Sequence, residues 1–177
     1  MNTDKPRVAE GVQRFRGAPR AFDLRWISFG SPSAIVTSMA LIVGLGAATA
    51  AKATVLASLL IIGIADNLSD SLSIQIYQES ERMAQRQAFG STVANYAARF
   101  AITGSFIFIL LALPTGAVIY TCVAWGGFLL SGLSYLLAKA RHVRALPDIA
   151  KHLGVAGVVI FLSNAIGLLI RSSAVSP

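Results

Sequence analysis

Ile62-Gly63-Ile64-Ala65-Asp66-Asn67-Leu68-Ser69-Asp70-Ser71-Leu72-Ser73 places two carboxylates inside a largely apolar run from Ala53 to Tyr77. A run of that length is enough for a spanning helix, which needs about 20 mostly apolar residues. A carboxylate near the bilayer centre costs about 2.5–3.5 kcal/mol on insertion scales. Two of them on one helix therefore point to function rather than packing.

Composition supports a lipid-solvated chain. Its 177 residues are 55% hydrophobic and only 13% charged, against about 25% charged in soluble domains. Mean hydropathy is +0.66. Working outward from the acidic helix, five spans are predicted: Ser33 to Ala51, Ala53 to Tyr77, Ala98 to Leu113, Thr115 to Ala138 and Leu153 to Ile170. Lys52 marks a tight turn, and Leu113-Pro114-Thr115-Gly116 marks another through its Pro and Gly. The expected fold is an all-α membrane protein. It has a basic tail over 1–24, a five-helix transmembrane domain over 25–171 and a short tail over 172–177.

The basic residues give an orientation. Of the 15 Lys and Arg, 13 fall before span one, between spans two and three or at the near end of span three (Arg99), or between spans four and five. Lys52 and Arg171 are left on the other side. The positive-inside rule puts the N-terminus in the cytoplasm and the C-terminus outside. The expected setting is a bacterial inner membrane. Ala48-Thr49-Ala50 resembles a signal cleavage site, but the basic segment and apolar run before it are too long. Phe15, Phe22 and Trp26 among arginines fit either a lipid-lying or a solvated tail.

Several function classes fall away. The +7 charge flanks apolar runs instead of forming a patch, so no nucleic acid partner is expected. Cys122 is a lone cysteine in an apolar run and reads as packing. His142 and His152 lie in a basic loop and have no nucleophile to activate, so no enzyme and no resident cofactor is expected. The apolar spans lack a phosphate-binding glycine loop.

At helical spacing Asp66, Asp70, Ser73 and Tyr77 share a face, with Ser69 beside them. Glu79 and Glu81 stand at the cytoplasmic mouth. Basic residues stand only at span ends, at Lys52, Arg99, Lys151 and Arg171, so a buried salt bridge to the acids is not expected. Protons, bound cations or a watery cavity remain as neutralising partners. The donor set of Asp66, Asp70, Asn67, Ser69 and Ser73 is hard, suiting Mg²⁺, Mn²⁺, Ca²⁺ and, less selectively, Fe²⁺. Met39 is a candidate soft ligand, with packing as the plainer reading. Ser33, Thr37, Ala40, Gly44 and Ala48 form a small-residue face on span one, which predicts a close helix–helix contact within the chain or across a dimer. Gly127 and Ser131 repeat the pattern more weakly.

Gly30-Ser31-Pro32-Ser33-Ala34-Ile35-Val36-Thr37, then Leu41-Ile42-Val43-Gly44-Leu45, resembles the opening of the vacuolar iron transporter family. Gly63-Ile64-Ala65-Asp66-Asn67-Leu68-Ser69-Asp70 resembles that family's second helix, and Gly154, Gly157 and Gly167 more loosely resemble its last span. The resemblance covers about Arg25 to Ile170. It implies a five-span homodimer that exports Fe²⁺ or Mn²⁺ from the cytoplasm against protons. The pathway would lie near a dimer interface lined by the first two helices, with Asp66 at a family acidic position. Ser33 stands where the family has an acid, Asp70 where it has a methionine and Ile74 where it has a glutamate. The glutamate-rich insertion between spans two and three is absent. A carboxylate in place of a thioether hardens the site, so Mn²⁺ or Mg²⁺ is as plausible as iron.

The expected function is export of a divalent cation in exchange for protons. The alternatives are a non-transporting scaffold or accessory subunit and a proton-coupled exporter of a small organic solute.

Overall fold

A computed structural model describes residues 30–49, 51–80 and 85–175. The basic tail over 1–24, with Phe15, Phe22 and Trp26, lies outside the described residues, as do Ala50, Glu81 and Arg82.

Five helices form the described chain: α1 (Ser31–Ala48), α2 (Lys52–Ser80), α3 (Gln85–Ala112), α4 (Thr115–Ala140) and α5 (Ala145–Val175). All five are long and apolar enough to cross a membrane. The chain is thus an all-helical integral membrane protein.

Helix ends follow local chemistry. Pro32 sits in the first turn of α1, where its missing N–H would be unpaired anyway. Pro114 precedes α4 in extended conformation. The Lys52 ammonium at the start of α2 donates to the Leu113 carbonyl just past α3, so one lysine ties two helix ends together. α4 ends in a Schellman motif: the His142 N–H donates to Lys139 O (3.2 Å) and the Val143 N–H to Ala138 O (3.0 Å). His142 takes the left-handed conformation, φ 55°, that this motif requires and glycine usually fills.

Two predicted boundaries need correction. α3 starts at Gln85, thirteen residues before the expected Ala98, and α5 starts at Ala145 instead of Leu153. The residues from Gln85 to Ala97 are too polar to read as a span, but they continue the helix and two of them pair with α2, Ser91 with Gln78 and Asn95 with Ser71. His152 consequently lies on α5, with Nδ1 2.8 Å from Ser134 Oγ of α4, and is not a loop residue. Arg86 and Arg99 leave the loop for α3.

α1 is central and touches each of the other four helices. Its Ile35, Met39 and Ile42 are buried against Val55 and Leu59 of α2, Phe106 and Leu110 of α3, and Cys122 of α4. Lipid is as apolar as this core, so tight packing, more than solvent exclusion, favours it. The small face of α1 is an intrachain contact. Gly44 and Ala48 line a groove with Ser163 and Gly167 of α5, and a Cβ on Gly167 would collide with the Gly44 carbonyl oxygen. Ser33 is exposed and takes no part in that groove.

Candidate functional site

The two helices flanking the acids meet along a four-residue repeat. α2 buries Val55, Leu59, Gly63, Asn67 and Ser71. α3 buries Ala88, Ser91, Asn95, Arg99 and Thr103, then Phe106 and Leu110. The seam is therefore polar in one half and apolar in the other. Ser91 Oγ donates to the Gln78 amide oxygen. Asn95 Nδ2 donates to Ser71 Oγ at 3.4 Å. A methyl on Gly63 would press on Thr103 Cγ2 at 2.9 Å, so glycine permits the close crossing.

Arg99 is the centre of this seam and is fully buried. Its Nη2 lies 3.0 Å from Asp66 Oδ2 and its Nη1 2.8 Å from Asp70 Oδ2. Nε donates to Asn67 Oδ1 at 2.9 Å, and Nη1 also donates to the Gly30 carbonyl at 2.5 Å. One guanidinium thus joins α1, α2 and α3. This overturns the expectation that no basic residue reaches the acids: with α3 extended back to Gln85, Arg99 falls in mid-helix, opposite Asp66 and Asp70.

The carboxylates are not enclosed. Their side chains remain 40% and 41% exposed while Arg99 is at 0%. At 1.5 Å per residue Asp66 and Asp70 lie about 21 and 27 Å along α2 from Lys52. Taking Lys52 as one boundary of a hydrocarbon core about 30 Å thick, Asp66 falls about 6 Å past the midplane and Asp70 about 3 Å short of the far boundary, near the start of α1. Towards the Lys52 end they face the apolar core of Met39, Leu59, Phe106 and Leu110.

A cavity of about 10 Å³ borders the cluster, lined by Thr37, Ser38, Asp66, Asn67 and Thr103 among others. Asn67 is buried, and its Nδ2 has no partner; nor does the buried Asn95 Oδ1.

The remaining predicted donors are dispersed. Ser69 and Ser73 are exposed on α2, and Ser73 Oγ donates back to the Ser69 carbonyl at 3.0 Å. Asn67 turns to Arg99. Met39 is buried against α4, where a Cβ on Gly126 would collide with its sulfur; it packs, and does not join the carboxylates. Glu79 accepts from Gln75 Nε2 at 3.1 Å. Among the described residues no three His, Cys, Asp or Glu side chains converge as a metal-holding group. Arg99, Asn95, Ser71, Thr103 and Ser38 were missed. The legible signal was the spacing of Ser91, Asn95, Arg99 and Thr103, one polar residue every four.

No protein-family model matches the sequence, no curated protein matches it, and no solved structure matches it.

Proposed function

We propose that this chain is a secondary transporter of a bacterial inner membrane that exchanges a cation for protons at Asp66 and Asp70. The observation that carries this reading is their half-exposure: each carboxylate gives one oxygen to the buried Arg99 and keeps about two-fifths of its side chain accessible. A carboxylate with that much of its surface uncovered by protein can still take a proton or a cation. The charge distribution supports a cytoplasmic N-terminus, which puts the cluster on the cytoplasmic side of the apolar core. The resemblance to the vacuolar iron transporter family supports export, a homodimer, and Mn²⁺ or Fe²⁺ as the first cations to try.

One observation favours a second reading. Arg99 ties α1, α2 and α3 together, as an accessory or scaffold subunit would need. The organic-solute alternative gains no support at this site, since a cavity of about 10 Å³ has room for about one water.

The test is purified protein in proteoliposomes carrying a pH gradient, with cation entry followed by a trapped dye. Exchange predicts gradient-dependent entry that is lost in both Asp66→Asn and Asp70→Asn. Entry equal to that of empty liposomes, by folded and inserted protein, would favour the scaffold.

A further inference from the structure

Among the described residues the charges near the cluster are few. α1 has no ionisable side chain between Ser31 and Ala48. Between Lys52 and Glu79, the only charged side chains of α2 are Asp66 and Asp70. After Arg86, the only charged side chain of α3 is Arg99. Among the described residues, two carboxylates and one guanidinium leave a single negative charge. One proton or one monovalent cation brings that to zero, whereas a divalent metal inverts it beside a buried arginine.

Asn67 gives an independent indication. Its Oδ1 is held by Arg99 Nε at 2.9 Å, which fixes the amide orientation. Its Nδ2 is then committed to the opposite direction, and that buried N–H donor has no partner. Asn67 lines the same cavity as Asp66. A buried N–H donor beside the carboxylates repels a metal ion, and the neighbouring cavity of about 10 Å³ has room for about one water.

Building on the exchange reading, we infer that the site takes up one positive charge at a time, a proton or a monovalent cation, and discriminates against divalent metals because Arg99 already supplies the second charge. Arg99 is thus the residue that sets valence.

The test uses full-length wild-type protein in proteoliposomes of neutral lipid with a trapped pH dye. Gradients of Na⁺, K⁺, Mn²⁺ and Fe²⁺ are imposed in turn, and proton movement is read. The expected result is movement driven by Na⁺ or K⁺ about tenfold or more faster than by either divalent ion. Arg99→Gln, where it folds, should gain a divalent response, while Arg99→Lys should keep the monovalent preference. Divalent-driven movement in wild type as fast as monovalent-driven movement overturns the inference and leaves exchange standing. No proton movement with any of the four ions overturns exchange, and this inference with it.

Discussion

Arg99 holds Asp70 at 2.8 Å while its other terminal nitrogen holds Asp66, one turn of α2 away, at 3.0 Å. The i, i+4 spacing of the two acids matches the reach of one planar guanidinium, which has donors to spare for Asn67 and the Gly30 carbonyl. Three helices are therefore registered by one side chain.

Removing that side chain should be costly. Arg99→Met leaves two carboxylates without their partner, and breaking a buried pair costs about 3–5 kcal/mol. Half-exposure of the acids puts the expected loss at about 3 kcal/mol or less. Adding Asp66→Asn and Asp70→Asn to Arg99→Met should recover most of it. Thermal unfolding in detergent across this series checks the claim; a triple variant no more stable than Arg99→Met would contradict it.

The α1–α5 contact depends on one glycine. Gly167→Ala should destabilise by about 1–3 kcal/mol, since the methyl meets the Gly44 carbonyl and lies 2.8 Å from Ala47 Cβ. Gly154→Ala, on the same helix with open space around it, should be neutral or stabilising by up to about 1 kcal/mol. Equal melting temperatures for the two variants would count against this packing.

Met39 distinguishes a ligand from a packing residue. Gly126→Ala should destabilise by forcing the Met39 thioether aside, and Met39→Ala should relieve part of that loss when combined with it. Any exchange activity should keep its ion preference in Met39→Leu. A changed preference in that variant would return Met39 to the site.

His142 should be replaceable at a gain. Its left-handed conformation, φ 55°, strains any residue with a Cβ by about 1–2 kcal/mol. His142→Gly should raise the melting temperature without changing flux. A lower melting temperature would show that the imidazole makes a contact worth more than the strain.

Much of this was legible beforehand, for reasons that also explain the failures. Span number follows from apolar length, and the α1 small face from the spacing of Thr37, Ala40, Gly44 and Ala48; α5 covers it within the chain. Asp66 and Asp70 stood out because a carboxylate is conspicuous among leucines. Arg99 did not, because Gln85 to Ala97 is too polar to read as a span. α2 and α3 continue past the start of α1 and pair polar groups with each other, so their length is set by that pairing as well as by membrane thickness. The expected metal donors were grouped by residue type, whereas the helix turns Asn67 towards Arg99 and Ser69 and Ser73 outward.

The most direct test of the central claim separates transport from clamping in one protein. The Asp66→Asn, Asp70→Asn, Arg99→Met triple variant removes every charge of the cluster together. Measured beside wild type in proteoliposomes under a pH gradient, the account predicts a folded, inserted variant that no longer exchanges cations for protons. Exchange at the wild-type rate by the triple variant would contradict it, because the charges would then hold the helices and carry nothing.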